Sequence, residues 1–190
     1  MDEREGKGAP GAGITRLGYA LLGLIRAEPR SGYKLRMVFE TTPLALYSSS
    51  PGSIYPALKS LARAGLVTAP ERGARQVFAL TAAGEEALGQ WLARLVDEEE
   101  VARHLDMALL RFAFLQEEQD EGAVGRFLDS FEAAADAHAA SLEAFLGDPQ
   151  RGAAMSLHSR IAVEHGLRAI RCSAEWAADA RRRLCKGDTR

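Results

Sequence analysis

Cysteine and long hydrophobic runs are scarce in this chain of 190 residues, and each scarcity excludes a class of protein. Cys172 and Cys185 are the only two cysteines. Both lie in one predicted helix about 20 Å apart, which is far beyond disulfide reach. The longest apolar run, residues 17–25, is half the length of a membrane-spanning helix, and the N-terminus lacks a signal-peptide pattern. We therefore expect free thiols, no membrane contact and a cytoplasmic location.

Motifs of catalytic or cofactor chemistry are also missing. The sequence contains no Ser-His-Asp order, no Walker loop and no dinucleotide-binding fingerprint. The histidines form no pair at the i, i+4 spacing, so a metal site would have to be assembled across helices. The four histidines are His104, His138, His158 and His165. We expect a protein that is not an enzyme and that has no cofactor and no metal.

The composition is that of a globular protein, but its charge is unevenly distributed. Hydrophobic residues make up 47% and charged residues 26% of the chain, enough for one or two small domains with real cores. Residues 14–96 hold ten basic and five acidic side chains, a net charge of +5, whereas residues 97–190 carry a net charge of −6. This asymmetry predicts an anionic partner for the first part of the chain only.

The order of predicted elements in the first half is that of a winged helix-turn-helix. Residues 1–13 are rich in glycine and charge and predict a disordered tail. Proline and serine punctuation then separates three helices, and two short strands with a basic turn precede a fourth helix capped by Thr81. The predicted helices cover 16–27, 31–40 and about 51–65, the strands cover 66–68 and 76–80, and the turn covers 70–75.

The third helix and the turn carry the candidate DNA contacts. Ile54, Leu58 and Leu61 recur at i, i+4 and i+7 and predict one buried stripe, which leaves polar and basic side chains for solvent or a partner. The candidates are Ser50, Ser53, Tyr55, Lys59, Ser60, Arg63, Arg72 and Arg75. Two alternatives stay open, because Lys59 and Arg63 would also suit a solvated helix face and Tyr55 could pack against the second helix.

The second half, residues 97–190, predicts a helical domain that pairs with a second copy. The acidic run 97–100 marks the boundary, and apolar sites then repeat in steps of three and four in helices at 123–146 and about 153–184. Because two antiparallel helices cannot bury such stripes alone, a partner chain or the first domain must cover them. The candidate dimer contacts are Leu128, Phe131, Leu142, Phe145, Val163, Leu167 and Ile170.

The two tryptophans are the candidates for an effector pocket. Trp91 and Trp176 each offer a flat hydrophobic surface that could line a site for a small molecule between dimer halves. Packing in a core is the commoner role of such side chains.

Several motifs, in this order and spacing, resemble the PadR family of bacterial transcriptional regulators. They are L-G-x-x-L-L-G-L-I at 17–25, S-G-Y at 31–33, S-P-G-S-I-Y-P-A-L-K-x-L at 50–61, G-L-V at 65–67 and F-A-L-T-x-x-G at 78–84. The second half is similar to the helical C-terminal domain of longer members through G-L-R at 166–168 and E-W at 175–176. The resemblance implies a mainly α fold with a two-stranded wing and a helical dimerisation domain.

The resemblance also implies a function, with departures from the family pattern. It implies a homodimer that binds palindromic double-stranded DNA and a repressor relieved by a small-molecule effector. This chain has a less basic wing than many relatives and reads Val77-Phe78-Ala79 where they carry an aromatic pair, so affinity should depend more on the third helix. The alternative is a protein-interaction adaptor that keeps the winged fold without binding DNA.

Overall fold

The computed structural model describes residues 13–47, 51–68, 77–115, 122–152 and 154–185, and it is mainly helical. Contacts divide the chain into two compact units, Met1–Leu92 and Ala93–Arg190. The domain limits expected from the sequence, 14–96 and 97–190, remain a prediction. The helices are α1 Arg16–Ala27, α2 Gly32–Thr41, α3 Ile54–Arg63, α4 Ala82–Leu92, α5 Glu98–Phe114, α6 Ala123–Gly147 and α7 Leu157–Cys185; the strands are β1 Arg30–Ser31 and β2 Val77–Phe78.

The first two helices begin at hydroxyl caps. Thr15 Oγ1 accepts a hydrogen bond from Gly18 N at 3.1 Å, and Ser31 Oγ accepts one from Lys34 N at 3.3 Å. The Ser31 cap and the end of α1 before Pro29 are as the sequence predicts. Helix α1 is buried along most of its length and forms the centre of the first unit.

The small sheet differs from the expected hairpin. Strand β2 is antiparallel to β1, with Arg30 opposite Phe78 and Ser31 opposite Val77, whereas the sequence analysis assigned no strand at 30–31. The expected pairing of 66–68 with 76–80 is present as an antiparallel bridge between Val67 and Leu80. Thr68 N donates to the carbonyl of Ala79 at 2.8 Å, and Thr81 N donates to the carbonyl of Leu66 at 3.1 Å. The sequence pattern does not predict the β1–β2 pairing, because two-residue strands carry no periodicity of their own and form only where packing brings extended segments together. The expected turn at 70–75 lies outside the described residues.

Helix α4 is joined tightly to the segment that follows α3. Gly65 adopts a φ of +71° and ends α3, as the sequence predicts for a C-terminal cap. Thr81 Oγ1 accepts a hydrogen bond from Gly84 N at 3.1 Å and donates one to the carbonyl of Gly65 at 2.6 Å. A Cβ at Gly84 would stand 2.0 Å from the carbonyl oxygen of Leu66, so only glycine fits there. The first turn of α4 is therefore held against the chain that leaves α3.

The second unit begins at the acidic run. Asp97 Oδ1 accepts a hydrogen bond from Glu100 N at 2.8 Å, so the run forms the cap and first turn of α5, where the helix dipole favours negative charge. The backbone of α5 leaves helical geometry at His104, with φ −142° and ψ 34°. Helix α5 is an addition to the two helices expected from the sequence in this unit.

Helices α6 and α7 are antiparallel neighbours. Advancing along α7, Arg160 donates to the carbonyl of Leu146, Arg171 pairs with Glu143 and Arg181 pairs with Asp129, so the partners on α6 run backwards. The core of this unit contains a cluster of rings from Phe112, Phe127, Phe131 and Trp176.

A hydrogen-bonded turn occupies the chain between α6 and α7. Asp148 Oδ1 accepts hydrogen bonds from Gln150 N at 2.8 Å and Arg151 N at 2.7 Å, and Ser156 Oγ accepts one from Ser159 N at 3.1 Å. Helix α7 therefore begins at Leu157 rather than near the expected residue 153. Among the described helices, none has both the length and the apolar character needed to span a bilayer.

Candidate nucleic-acid interface

Helix α3 has a buried stripe, as its periodicity predicts. Ile54, Leu58 and Leu61 are 0%, 1% and 5% exposed and face α1 and α2. Successive residues of a helix are rotated by about 100°, so the remaining side chains of α3 form two further faces. The basic and polar face is the candidate interface.

Tyr55, Lys59 and Arg63 occupy one exposed stripe of α3 at i, i+4 and i+8. The stripe is about 12 Å long at the helical rise of 1.5 Å per residue. Its two cations are solvent-exposed, and the Tyr55 side chain is 51% exposed. This arrangement is able to present two positive charges and one phenol to a single anionic surface.

Tyr55 also packs against the second helix, so the two interpretations of this residue are compatible. A Cβ built on Gly32 would lie 2.7 Å from Cε1 of the Tyr55 ring. The ring therefore rests on the glycine that opens α2, and it joins the first turn of α3 to the first turn of α2. Tyr55 sets the spacing of these two helix starts while its other edge faces solvent.

Helix α3 begins later than the expected start at about residue 51. The segment Pro51–Ser53 is a 3₁₀ turn and α3 begins at Ile54, so Ser53 occupies the N-cap position. Ser53 is partly buried and Ser60 is exposed, on the flank of α3 next to the basic stripe. Ser50, Arg72 and Arg75 lie outside the described residues, and their proposed contacts remain predictions.

The first turn of α2 carries exposed aromatic and basic side chains that are not among the residues predicted from the sequence. Tyr33 is 59% exposed and Lys34 is exposed, immediately after the Gly32 that contacts Tyr55. The Arg36 guanidinium carbon lies 5.6 Å from the Tyr33 ring centroid, and Arg36 also pairs with Glu40 at 3.4 Å. Tyr33 and Lys34, which directly follow Ser31-Gly32, were the signal in the sequence that could have indicated this part of the surface.

Both tryptophans pack in cores. Trp91 is 6% exposed, and its ring stacks on Tyr19 in the first unit with centroids 4.4 Å apart and planes 14° apart. In the second unit Trp176 meets Phe112 and Phe131 edge-on, with centroids 5.1 and 5.3 Å away. These contacts fit the structural alternative, and an effector role for either ring remains a prediction.

The candidate dimer contacts divide into a buried and an accessible group. Leu128, Phe131 and Ile170 are 1%, 0% and 9% exposed and belong to the core of the single chain, and a contact of these residues with a second copy remains a prediction. The apolar periodicity predicted two helices in this unit, but a third helix, α5, packs on α6. The accessible group consists of Phe145, which is 37% exposed, and the partly buried Leu142, Val163 and Leu167.

Helix α7 exposes further apolar side chains that the sequence analysis did not select. Leu157 is 67% exposed and Ile161 is 54% exposed, one helical turn apart near the start of α7. Together with Phe145 they form the apolar surface at this end of α6 and α7.

Comparisons with known proteins agree with the motifs. Residues 21–90 match the model of the transcriptional regulator PadR-like family. The negative transcriptional regulator PadR of Bacillus subtilis (strain 168) is 32% identical over 83 residues, which cover 41% of this chain and 46% of that protein. The chain thus spans about half the length of the curated relative that it matches.

The solved structures that the comparison found include two of Bacillus subtilis PadR. The structure with operator DNA has 22% identity, covers 86% of this chain and 96% of that chain, and has a TM-score of 0.38. The structure with p-coumaric acid has 21% identity, covers 88% and 94%, and has a TM-score of 0.38. Residues 21–90 of this chain therefore form a domain similar to the transcriptional regulator PadR-like family.

Proposed function

We propose that this chain is a sequence-specific DNA-binding repressor that acts as a homodimer on a palindromic operator and responds to a small-molecule effector. The observation that carries the proposal is the exposed stripe of Tyr55, Lys59 and Arg63 on α3, adjacent to a buried stripe that anchors the same helix. The net charge of +5 over residues 14–96 supports an anionic partner. In this proposal the chain is not an enzyme and works in the cytoplasm.

In the proposed complex, α3 enters the major groove. Lys59 and Arg63 contact phosphates or base edges, Tyr55 and Ser53 donate hydrogen bonds near the start of the helix, and Ser60 contacts the adjacent backbone. Ser50, Arg72 and Arg75, which lie outside the described residues, complete the proposed contact set. With two copies, half-sites should be separated by about one helical turn, ~10 bp, or a multiple of it.

The relatives support this proposal by analogy. The curated Bacillus subtilis relative is named a negative transcriptional regulator, and a structure of PadR from that organism contains operator DNA. Another contains p-coumaric acid. We transfer repression, operator binding and a response to an effector to this chain as parts of the proposal.

The test is a titration of duplex DNA from the chain's own promoter region, measured by fluorescence anisotropy at several salt concentrations. Lys59→Ala and Arg63→Ala should each weaken binding, and each lost phosphate contact should lower the slope of log K against log salt by about one. The control is Arg103→Ala, which removes an exposed cation from α5 and should leave binding unchanged. Unchanged affinity and slope in both α3 variants would remove α3 from the interface, and a chain that binds no DNA would favour the adaptor.

Dimerisation is tested by light scattering of variants in the accessible apolar surface. Phe145→Glu and Ile161→Glu should convert a dimer to a monomer, since each would bury a charge without a partner. The matched control is Leu46→Glu, at a side chain that is 84% exposed in the first unit. A dimer that persists in both test variants would place the interface elsewhere.

A further inference from the structure

A pocket of about 390 Å³ opens at the surface of the first unit, between the start of α1, one side of α3 and the start of α4. Its volume is within the range of small-molecule sites, which is about 300–1,000 Å³. The walls are formed by Ile14 before α1, by Ala57 on α3, by Ala64 directly after α3 and by Ala83 on α4. Ala57 and Ala64 stand on the side of the helix away from the basic stripe, so an occupant would touch the rear of the proposed DNA-reading helix.

The lining sets the chemistry of the occupant. The described residues around the pocket carry no charged side chain, and Thr15 and Ser60 supply its hydroxyls. Thr15 Oγ1 already accepts from Gly18 N, so its O–H is left to donate to an oxygen acceptor, whereas the Ser60 hydroxyl is able to accept from an O–H or N–H donor. A carboxylate or ammonium entering this pocket would lose water without gaining a partner of opposite charge, whereas a neutral ring would bury apolar surface.

We propose that this pocket binds an uncharged, mainly apolar small molecule with one hydroxyl or N–H group, of the phenol or indole class. We further propose that its occupation weakens DNA binding, a coupling that rests on the function proposed above. The link is Ser60, which lines the pocket and also belongs to the proposed DNA contacts. A hydroxyl engaged by the occupant is not available to the duplex, and an occupant between α1 and α3 changes the tilt of α3.

Binding is tested without DNA, by ¹⁵N–¹H NMR titration and calorimetry of the full chain with 4-ethylphenol and indole. Ala83→Leu fills the pocket from α4, and Ala82→Leu is its matched control, because Ala82 is the exposed neighbour that does not line the pocket. We expect Ala83→Leu to weaken binding about tenfold or more and Ala82→Leu to leave it unchanged. Ala64→Leu fills the pocket from the chain directly after α3 and should reproduce the loss if Ala83→Leu does not fold.

The anionic analogue 4-ethylbenzoate separates this pocket from a charged site. We expect it to bind at least about tenfold more weakly than 4-ethylphenol. The proposal is overturned if neither neutral probe binds saturably below about 5 mM, if the benzoate binds as well as the phenol, or if both filling variants bind like the wild type. It is also overturned if Ala83→Leu changes the oligomeric state, since the pocket would then hold part of a second copy.

The coupling is measured by repeating the DNA titration with saturating 4-ethylphenol. Because coupling free energies are reciprocal, the factor by which the phenol weakens DNA binding must equal the factor by which DNA weakens phenol binding. Unchanged DNA affinity at saturation would overturn the coupling. Probe binding by a chain that binds no DNA would support the pocket and overturn the proposed function, so the two failures are distinguishable.

Discussion

The buried ion pair between Arg111 and Glu100 predicts that loss of either side chain lowers the free energy of unfolding by a different amount. The Arg111 side chain is fully buried in the second unit, and its Nη2 donates to Oε2 of Glu100 at 2.8 Å, while the Glu100 side chain is 15% exposed. Within the described part of the chain, Nε and Nη1 of Arg111 have no acceptor. Burial lowers the pKa of Arg111, and the Glu100 carboxylate opposes that shift. The guanidinium carbon also lies 5.4 Å from the Phe127 ring centroid.

Removing Glu100 is the more damaging change. Glu100→Ala leaves a buried cation with no counter-charge, a loss of about 3–5 kcal/mol in the free energy of unfolding. Arg111→Met removes the cation together with its two unpaired donors and leaves a carboxylate that reaches water, so it should cost only about 1–2 kcal/mol. In the double variant neither charge is stranded, and the coupling energy should be at least about 2 kcal/mol.

The four proteins are compared by urea unfolding, followed by far-UV circular dichroism at pH 7 and at one protein concentration. Equal m-values show that the folded and unfolded states remain comparable. Two outcomes would refute the reasoning: a larger loss in Arg111→Met than in Glu100→Ala, or a coupling energy below about 0.5 kcal/mol. Either would mean that the guanidinium is not desolvated in the way the contacts indicate.

Three further predictions concern packing and turns. Gly84→Ala should destabilise the chain by more than about 2 kcal/mol, because its Cβ would meet the Leu66 carbonyl, whereas Gly89→Ala, with open space around it, should stabilise α4 by about 0.5–1 kcal/mol in the same urea assay. Phe131→Ala should cost about 3–5 kcal/mol and leave the molar mass in light scattering unchanged; a change in oligomeric state would contradict its place in the core. Two backbone N–H groups donate to Asp148 and lower the pKa of its carboxyl below the ordinary value of 3.8. The stabilisation from these hydrogen bonds is therefore complete above pH 3.8 and is lost as the pH falls through the lowered pKa. Asp148→Ala should lower the melting temperature at pH 7, and the difference in melting temperature from the wild type should vanish in strong acid. A constant difference across that range would exclude this role for Asp148.

Local signals in the sequence determined much of the first unit. Ser31 and Thr81 cap their helices because each hydroxyl accepts a hydrogen bond from a backbone N–H of the first turn. The donor lies three residues further along the chain, so the cap is determined by local sequence. The buried stripe of α3 follows equally from the helical period, which brings Ile54, Leu58 and Leu61 to one side. The exposure of Lys59 and Arg63 on another side follows from the same period.

Features that depend on distant residues were decided by the tertiary structure. The pairing of β1 with β2 joins segments more than 40 residues apart and leaves no periodic trace in two residues. Leu128 and Phe131, which the sequence predicted as dimer contacts, lie in the core of the single chain, where α5 packs on α6.

The same division holds for the candidate sites. The sequence determined which side chains of α3 are basic and which face they share, because residue type and helical period are local properties. Only the tertiary structure decided that the other flank of α3 lines a pocket with α1 and α4, and that Arg111 is buried beside a single carboxylate. A pocket and a buried charge are defined by what surrounds them, and those surroundings come from segments that meet only when the chain has folded.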